Sequence, residues 1–235
     1  MDYSKVLFRA SGCSQLMVDP KSKSEPLSET TKTFLIGVMI KERYGRQKDT
    51  MNRYVQKGLM CEDDAITLFS RIRKQFFLKN ETHLENDFLK GTPDLFEGNE
   101  TILRATKIID IKTSFDIFTF QKSKYDPINK DYYAQLQAYM DLTGATESEL
   151  AYCLVNTPES IIEGLKRRFQ WDAGIKGDED FALEAFEEIE HLAKYDDIPL
   201  EEKVHIKIIH RDQDYIDKLH ERVIIARQWM NANFN

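Results

Sequence analysis

Three residues stand out for the chemistry they could do: Asp94, Asp110 and Lys112, in the stretch GTPDLFEGNETILRATKIIDIKT that runs from Gly91 to Thr113. Asp94 follows a proline at the end of one apolar run, and Asp110 stands two positions before Lys112 at the end of the next. All three work against strand propensity, so they are expected to do something other than help the chain fold. Alternation along a strand puts Asp110 and Lys112 on one face, and a hairpin between the two runs can bring Asp94 beside them. Two adjacent carboxylates repel unless a cation sits between them. Oxygen ligands suit a hard ion such as Mg²⁺ or Mn²⁺, which keeps waters and takes phosphate oxygens. A neighbouring lysine can orient an attacking water or offset charge building on phosphoryl oxygens. Together these are the least equipment that metal-assisted phosphodiester hydrolysis needs. The spacing is short, and an exposed hairpin that pairs Asp with Lys across strands meets it equally.

Two further segments offer polar groups. In KGLMCEDDAITLF, Glu62 follows Gly58 by one turn, and the small residue lets helix and strand approach closely enough for Glu62 to act as a third carboxylate. An exposed acidic trio with Asp63 and Asp64 is the plainer alternative. In YYAQLQAYM, Gln135 and Tyr139 are four apart and share a helix face that is otherwise apolar. They need polar partners, which a site would supply; a Gln135 that faces water is the alternative.

The elements that must position these groups can be read from caps and periodicity. A helix is expected from Ser28 to Tyr44, with Ser28 as N-cap and Gly45 past its end. A longer helix is expected from Asp49 to Lys74, on the three- and four-residue spacing of Tyr54, Cys61, Ala65, Leu68, Phe69 and Ile72. Strands are expected at 75–79, 87–96 and 102–113, the last two joined by a turn at Gly98-Asn99 as part of a meander. A helix closed by Gly144, a strand ELAYCLVNT, a helix opened by Thr157-Pro158-Glu159, an acidic helix at 181–194, a strand EEKVHIKIIH and a long last helix follow. This order predicts an α/β (α+β) fold, a central mixed sheet with an antiparallel meander flanked by helices, in one domain over 1–235.

The chain has 235 residues and a net charge of −7. Residues 176–202 hold eleven acidic residues against two lysines, a net of −9, which leaves +2 for the rest. KERYGRQKDTMNRYVQK, from Lys41 to Lys57, carries six cations and two anions and could track phosphates or merely be a solvated face. Cys13, Cys61 and Cys153 are odd in number and scattered, which argues against a disulfide framework and for a reducing cytoplasm. FLIGVMI is the longest apolar stretch, too short for a bilayer, and no signal peptide is read. The five histidines show no paired zinc spacing, and three cysteines are too few for an iron–sulfur cluster.

Five segments, in order, resemble one family. RASGCSQLM, KGLMCEDDAITLF, GTPD, IDIK and YYAQLQAYM look like the motifs of the PD-(D/E)xK nuclease superfamily. Within it they resemble the lambda exonuclease and YqaJ-type viral recombinase family, with its restriction-endonuclease-like core. The resemblance runs from Arg9 to about Pro158, and Asp110 stands where many relatives have Glu. It implies that Asp94, Asp110 and the Ile111 carbonyl bind Mg²⁺ (Mn²⁺ substituting), that Glu62 adds an acidic ligand, and that Lys112 and Gln135 handle the water and the scissile phosphate. Ser11 and Thr92 match positions that grip a 5′-phosphate; Arg9 and Tyr139 are candidates for nucleic-acid contact beside them. The implied activity is 5′-to-3′ exonuclease digestion of linear duplex DNA for phage-type recombination or repair. The implied partners are duplex ends, a single-strand annealing recombinase and further copies of the chain in a trimer, with no membrane. An endonuclease on the same fold, or an inactive DNA-binding protein, are the rival readings.

Overall fold

The computed structural model describes residues 2–98, 100–174 and 180–234. Its centre is a four-stranded sheet in the order β4 (Leu95–Glu97), β5 (Lys107–Thr113), β6 (Glu147–Cys153), β7 (Val204–His210). β4 runs antiparallel to β5, β5 parallel to β6, and β6 antiparallel to β7. The parallel pair needs a crossover, made by α4 (Ile117–Tyr125) and α5 (Lys130–Thr143). A smaller sheet sets β1 (Phe8–Arg9) parallel to β3 (Leu89–Gly91), and β3 antiparallel to β2 (Leu84–Glu85). The architecture is mixed α+β, as the sequence implies.

β5 reads KIIDIKT because it is central, with Ile108 to Ile111 all buried. Ile108 enters a core with Leu150, Ile209 and the apolar side of α5. Ile109 and Ile111 enter a second core with Ala151, Cys153 and α3 (Glu62–Arg73). Asp110 therefore shares the α5 face with Ile108. α1 (Glu29–Tyr44) starts on Ser28, whose side chain accepts from Thr31 N, and ends at Gly45. α8 (Gln213–Phe234) closes the molecule over the N-terminal segment: Tyr3 N donates to Asn231 at 2.8 Å, and Arg227 Nε donates to the Val6 carbonyl at 2.9 Å. α6 (Glu159–Ala173) and α7 (Asp180–His191) pack on each other beyond β6. Among the described residues no helix is long and apolar enough to cross a membrane.

Several expectations need correction. The helix expected over 49–74 is two: α2 (Arg53–Met60), opened by Asn52, and α3, with Cys61 between them off helical geometry. No strand forms at 75–79. The strand expected over 87–96 splits into β3 and β4, which sit in different sheets and are separated by Thr92-Pro93-Asp94. The one expected over 102–113 opens with a 3₁₀ turn, Ile102–Arg104, before β5. Gly98 makes the turn with φ +97, and Asn99 lies outside the described residues. The 3₁₀ helix Ala10–Met17 and α4 were not anticipated.

Candidate active site

Asp94 sits one residue before β4, and Asp110 in the middle of β5 rather than at its end. Leu95 pairs with Ile109 in antiparallel register. One step further, that register sets Asp94 opposite Asp110 on one face of the sheet. Asp94 Oδ2 accepts a hydrogen bond from Ile111 N at 2.8 Å, which ties it to the neighbouring strand. Its backbone is clamped from outside: Asn80 N donates to the Asp94 carbonyl at 2.7 Å, and Asn80 Nδ2 to the Pro93 carbonyl at 2.9 Å. The clamp comes from the irregular segment 75–80, where a strand was expected.

Asp110 is 1 % exposed, and neither of its carboxylate oxygens accepts a well-directed hydrogen bond. Lys112 Nζ lies 2.6 Å from Asp110 Oδ2 as an ion pair, and 4.9 Å from the centre of the Tyr132 ring. Burial, and then the charge of Asp110, push Asp94 up to about 7. Burial alone would lower Lys112, but Asp110 and Asp94 outweigh it and hold the ammonium above its ordinary range. Confined like charges and oxygens without donors are what a divalent cation relieves. The donor set is hard oxygen, and in this respect the residues fit Mg²⁺ or Mn²⁺.

Glu62 lies at the rim of the same cavity, about 540 Å³ in volume, that Asp94 and Lys112 line. Its carboxylate is taken by Lys79 at 2.7 Å, although its charge adds to the pressure on Asp94. Among the described residues no group of three His, Cys, Asp or Glu side chains is placed to hold a metal. The cradle is thus a pair of aspartates, with Glu62 nearby and engaged elsewhere. Gln135 Nε2 donates to Tyr139 Oη at 2.9 Å, and Tyr139 is raised by burial and then by the charge of Asp110. The shared helix face read from the sequence therefore fronts the aspartates.

No protein-family model matches the chain, and no curated protein matches it. Solved structures do. A phage-related exonuclease from Haemophilus somnus 129PT aligns with a TM-score of 0.72 at 26% identity, over 96% of this chain and 93% of its own. The chain thus shares its fold with a phage-related exonuclease. An alkaline exonuclease from Laribacter hongkongensis shares the fold, with a TM-score of 0.64 at 14% identity over 97% of this chain and 90% of its own. Its complex with dAMP aligns at 0.62 and 15% identity.

Arg9 and Ser11 do not line the cavity that Asp94 and Lys112 line. They line a separate cleft of about 570 Å³ with Phe34, Lys41, Arg46 and Lys90. Burial, and then the charges of Arg9 and Lys90, lower Lys41, so positive charge is gathered there. Thr92 Oγ1 is 3.1 Å from His83 Nδ1. The N-terminal segment and the site are joined through close packing at Gly91, where an added Cβ would lie 2.8 Å from the Tyr139 ring and 3.1 Å from Ala10 Cβ. Sequence reasoning missed Lys79, Asn80 and Tyr132. Tyr132 had a signal, because it precedes Gln135 and Tyr139 by three and seven positions on one helix face. Lys79 and Asn80 had none, since their partners lie across an irregular loop.

Proposed function

We propose that the chain is a metal-dependent DNA exonuclease working from the 5′ ends of linear duplex DNA. The observation that carries this is the β4–β5 register, which opposes Asp94 and Asp110 with Lys112 against them in a fold shared with exonucleases. Asp94 and Asp110 would hold Mg²⁺, or Mn²⁺ in its place, with the Ile111 carbonyl and Glu62 as further candidates. A divalent cation bound there supplies Lewis acidity to the phosphoryl group and lowers the pKa of water.

The chain's own residues do the rest. Lys112 is held charged, so it serves as a hydrogen-bond donor and a counter-charge and not as a base. It directs a water at phosphorus and offsets the negative charge that grows on the phosphoryl oxygens. The new bond joins the water oxygen to phosphorus, the P–O3′ bond breaks, and the 3′ oxygen leaves with a proton. Gln135, fixed by Tyr139, offers its amide to the water or the phosphate. Thr92, two residues before Asp94, would meet the terminal phosphate, and Arg9 and Ser11 would reach the DNA from their separate cleft. The same reading takes in recombination or repair, a single-strand annealing protein as partner and assembly as a trimer.

The test is degradation of end-labelled linear duplex in Mg²⁺ beside a covalently closed circle. Release of mononucleotides from the linear DNA alone is expected, abolished by Asp110→Asn. Cutting of the circle favours the endonuclease, and equal activity of Asp110→Asn removes the assignment.

A further inference from the structure

The phosphate chemistry leaves one wall of the cavity without a task, and that wall is aromatic. Tyr54, on α2, lines the same cavity as Asp94 and Lys112 and is 53 % exposed. Its ring centre is 4.5 Å from that of Phe115, at an interplanar angle of 51°. The Arg53 guanidinium lies 5.1 Å from the Tyr54 ring centre and 5.2 Å from that of Phe115, and it donates to Tyr54 Oη at 3.1 Å. An aromatic ring that serves only the core is covered by it; this one offers half its surface to solvent beside two carboxylates.

The wall is built on a buried charge. Lys57 is 1 % exposed, and its Nζ donates to the Phe115 carbonyl at 2.8 Å. Burial lowers it to about 8, so keeping an ammonium there is costly. What that bond achieves is to fasten the loop after β5 to α2, which is what brings Phe115 against Tyr54.

We propose that Tyr54, braced on Phe115 beneath Arg53, is a stacking seat for an unpaired nucleobase of the strand whose phosphate enters the cavity lined by Asp94 and Lys112. The proposal rests on the nuclease reading and adds a residue that would hold the base of the bound nucleotide, Tyr54. A base is the occupant that fits, because every base has a face that stacks on a ring, and Arg53 adds a cation where the sugar-phosphate chain passes. The seat lines the same cavity that would receive the phosphate.

The experiment uses single-stranded oligonucleotides, each with one abasic nucleotide at the first, second or third position from the 5′ end. Binding is measured in EDTA and hydrolysis in Mg²⁺, for the unaltered chain, Tyr54→Ala and Tyr54→Phe. At one position the abasic nucleotide is expected to weaken binding by roughly ten-fold, a typical loss for one stacked base. Tyr54→Ala should lose about the same and become indifferent to that abasic position, while Tyr54→Phe keeps both. Equal binding of all abasic and intact oligonucleotides by the unaltered chain overturns the seat without any need for a variant. Additive losses from Tyr54→Ala and the abasic nucleotide overturn it too, and undiminished binding by Tyr54→Ala leaves this face to a protein partner. Base-dependent binding without hydrolysis of these oligonucleotides or of linear duplex in Mg²⁺ removes the nuclease reading and leaves the seat standing.

Discussion

The charge state of Lys112 decides what it can do. Its ammonium is paired with Asp110 and held by the charge of Asp94, so removing the charge should cost more than changing its shape. Lys112→Met is expected to slow single-turnover hydrolysis of labelled duplex by about 10²- to 10³-fold, and Lys112→Arg by less. Asp94 makes a different prediction. Its value is about 7 in the folded chain against an ordinary 3.8, so the folded chain holds that proton more tightly than the unfolded one. The stability this proton contributes is complete below pH 4 and is lost as pH rises through 7. In EDTA, the unaltered chain should therefore lose stability relative to Asp94→Asn between pH 4 and 7, with Mg²⁺ shrinking the loss; denaturant titrations across that range measure it. Asp94, Asp110 and Lys112 were legible because alternation on a strand is a rigid rule. The engagement of Glu62 by Lys79 was not, because it depends on where an irregular loop passes.

At the scale of elements, the hairpin that carries the aspartates is held by its turn and its clamp. A Cβ on Gly98 would lie 2.0 Å from Thr106 Oγ1, at a φ of +97 that side chains rarely adopt. Gly98→Ala should destabilise the fold by about 2 kcal/mol or more, read as a shift in the denaturation midpoint. Asn80→Ala strips the Pro93 carbonyl of its donor and should cost about 1–3 kcal/mol, with activity falling further than stability because Asp94 is left loose. β5, β6, β7 and α8 were readable from their apolar periods, and α1 and α5 from Ser28, Gly45 and Gly144. The break at Cys61 carries neither glycine nor proline, so periodicity ran straight through it. α4 did have a signal, the capping box of Asp116 and Thr119, which went unread. The split of 87–96 into two sheets follows from long-range pairing with Phe8 and Arg9, which no local pattern encodes.

Across the whole molecule, charge is segregated. Net charge is −7, yet the cleft behind Arg9 gathers Lys41, Arg46 and Lys90. If phosphates lie there, replacing Arg9 and Lys41 together with alanine should lower the slope of log binding constant against log salt by about 2, measured with duplex DNA in EDTA. An unchanged slope places the backbone elsewhere. The packing of α8 over the N-terminal segment has a consequence for how the protein is made. Tyr3, Val6 and Asp19 find their partners on Asn231, Arg227 and Arg222, more than 200 positions downstream. Until α8 has emerged, Tyr3, Val6 and Asp19 lack these partners, and the flank with Arg9 and Ser11 is held by β3, α1 and α5 alone. Before α8 docks, the register that opposes Asp94 and Asp110 can already be complete while the flank of the Arg9 cleft is still loosely held.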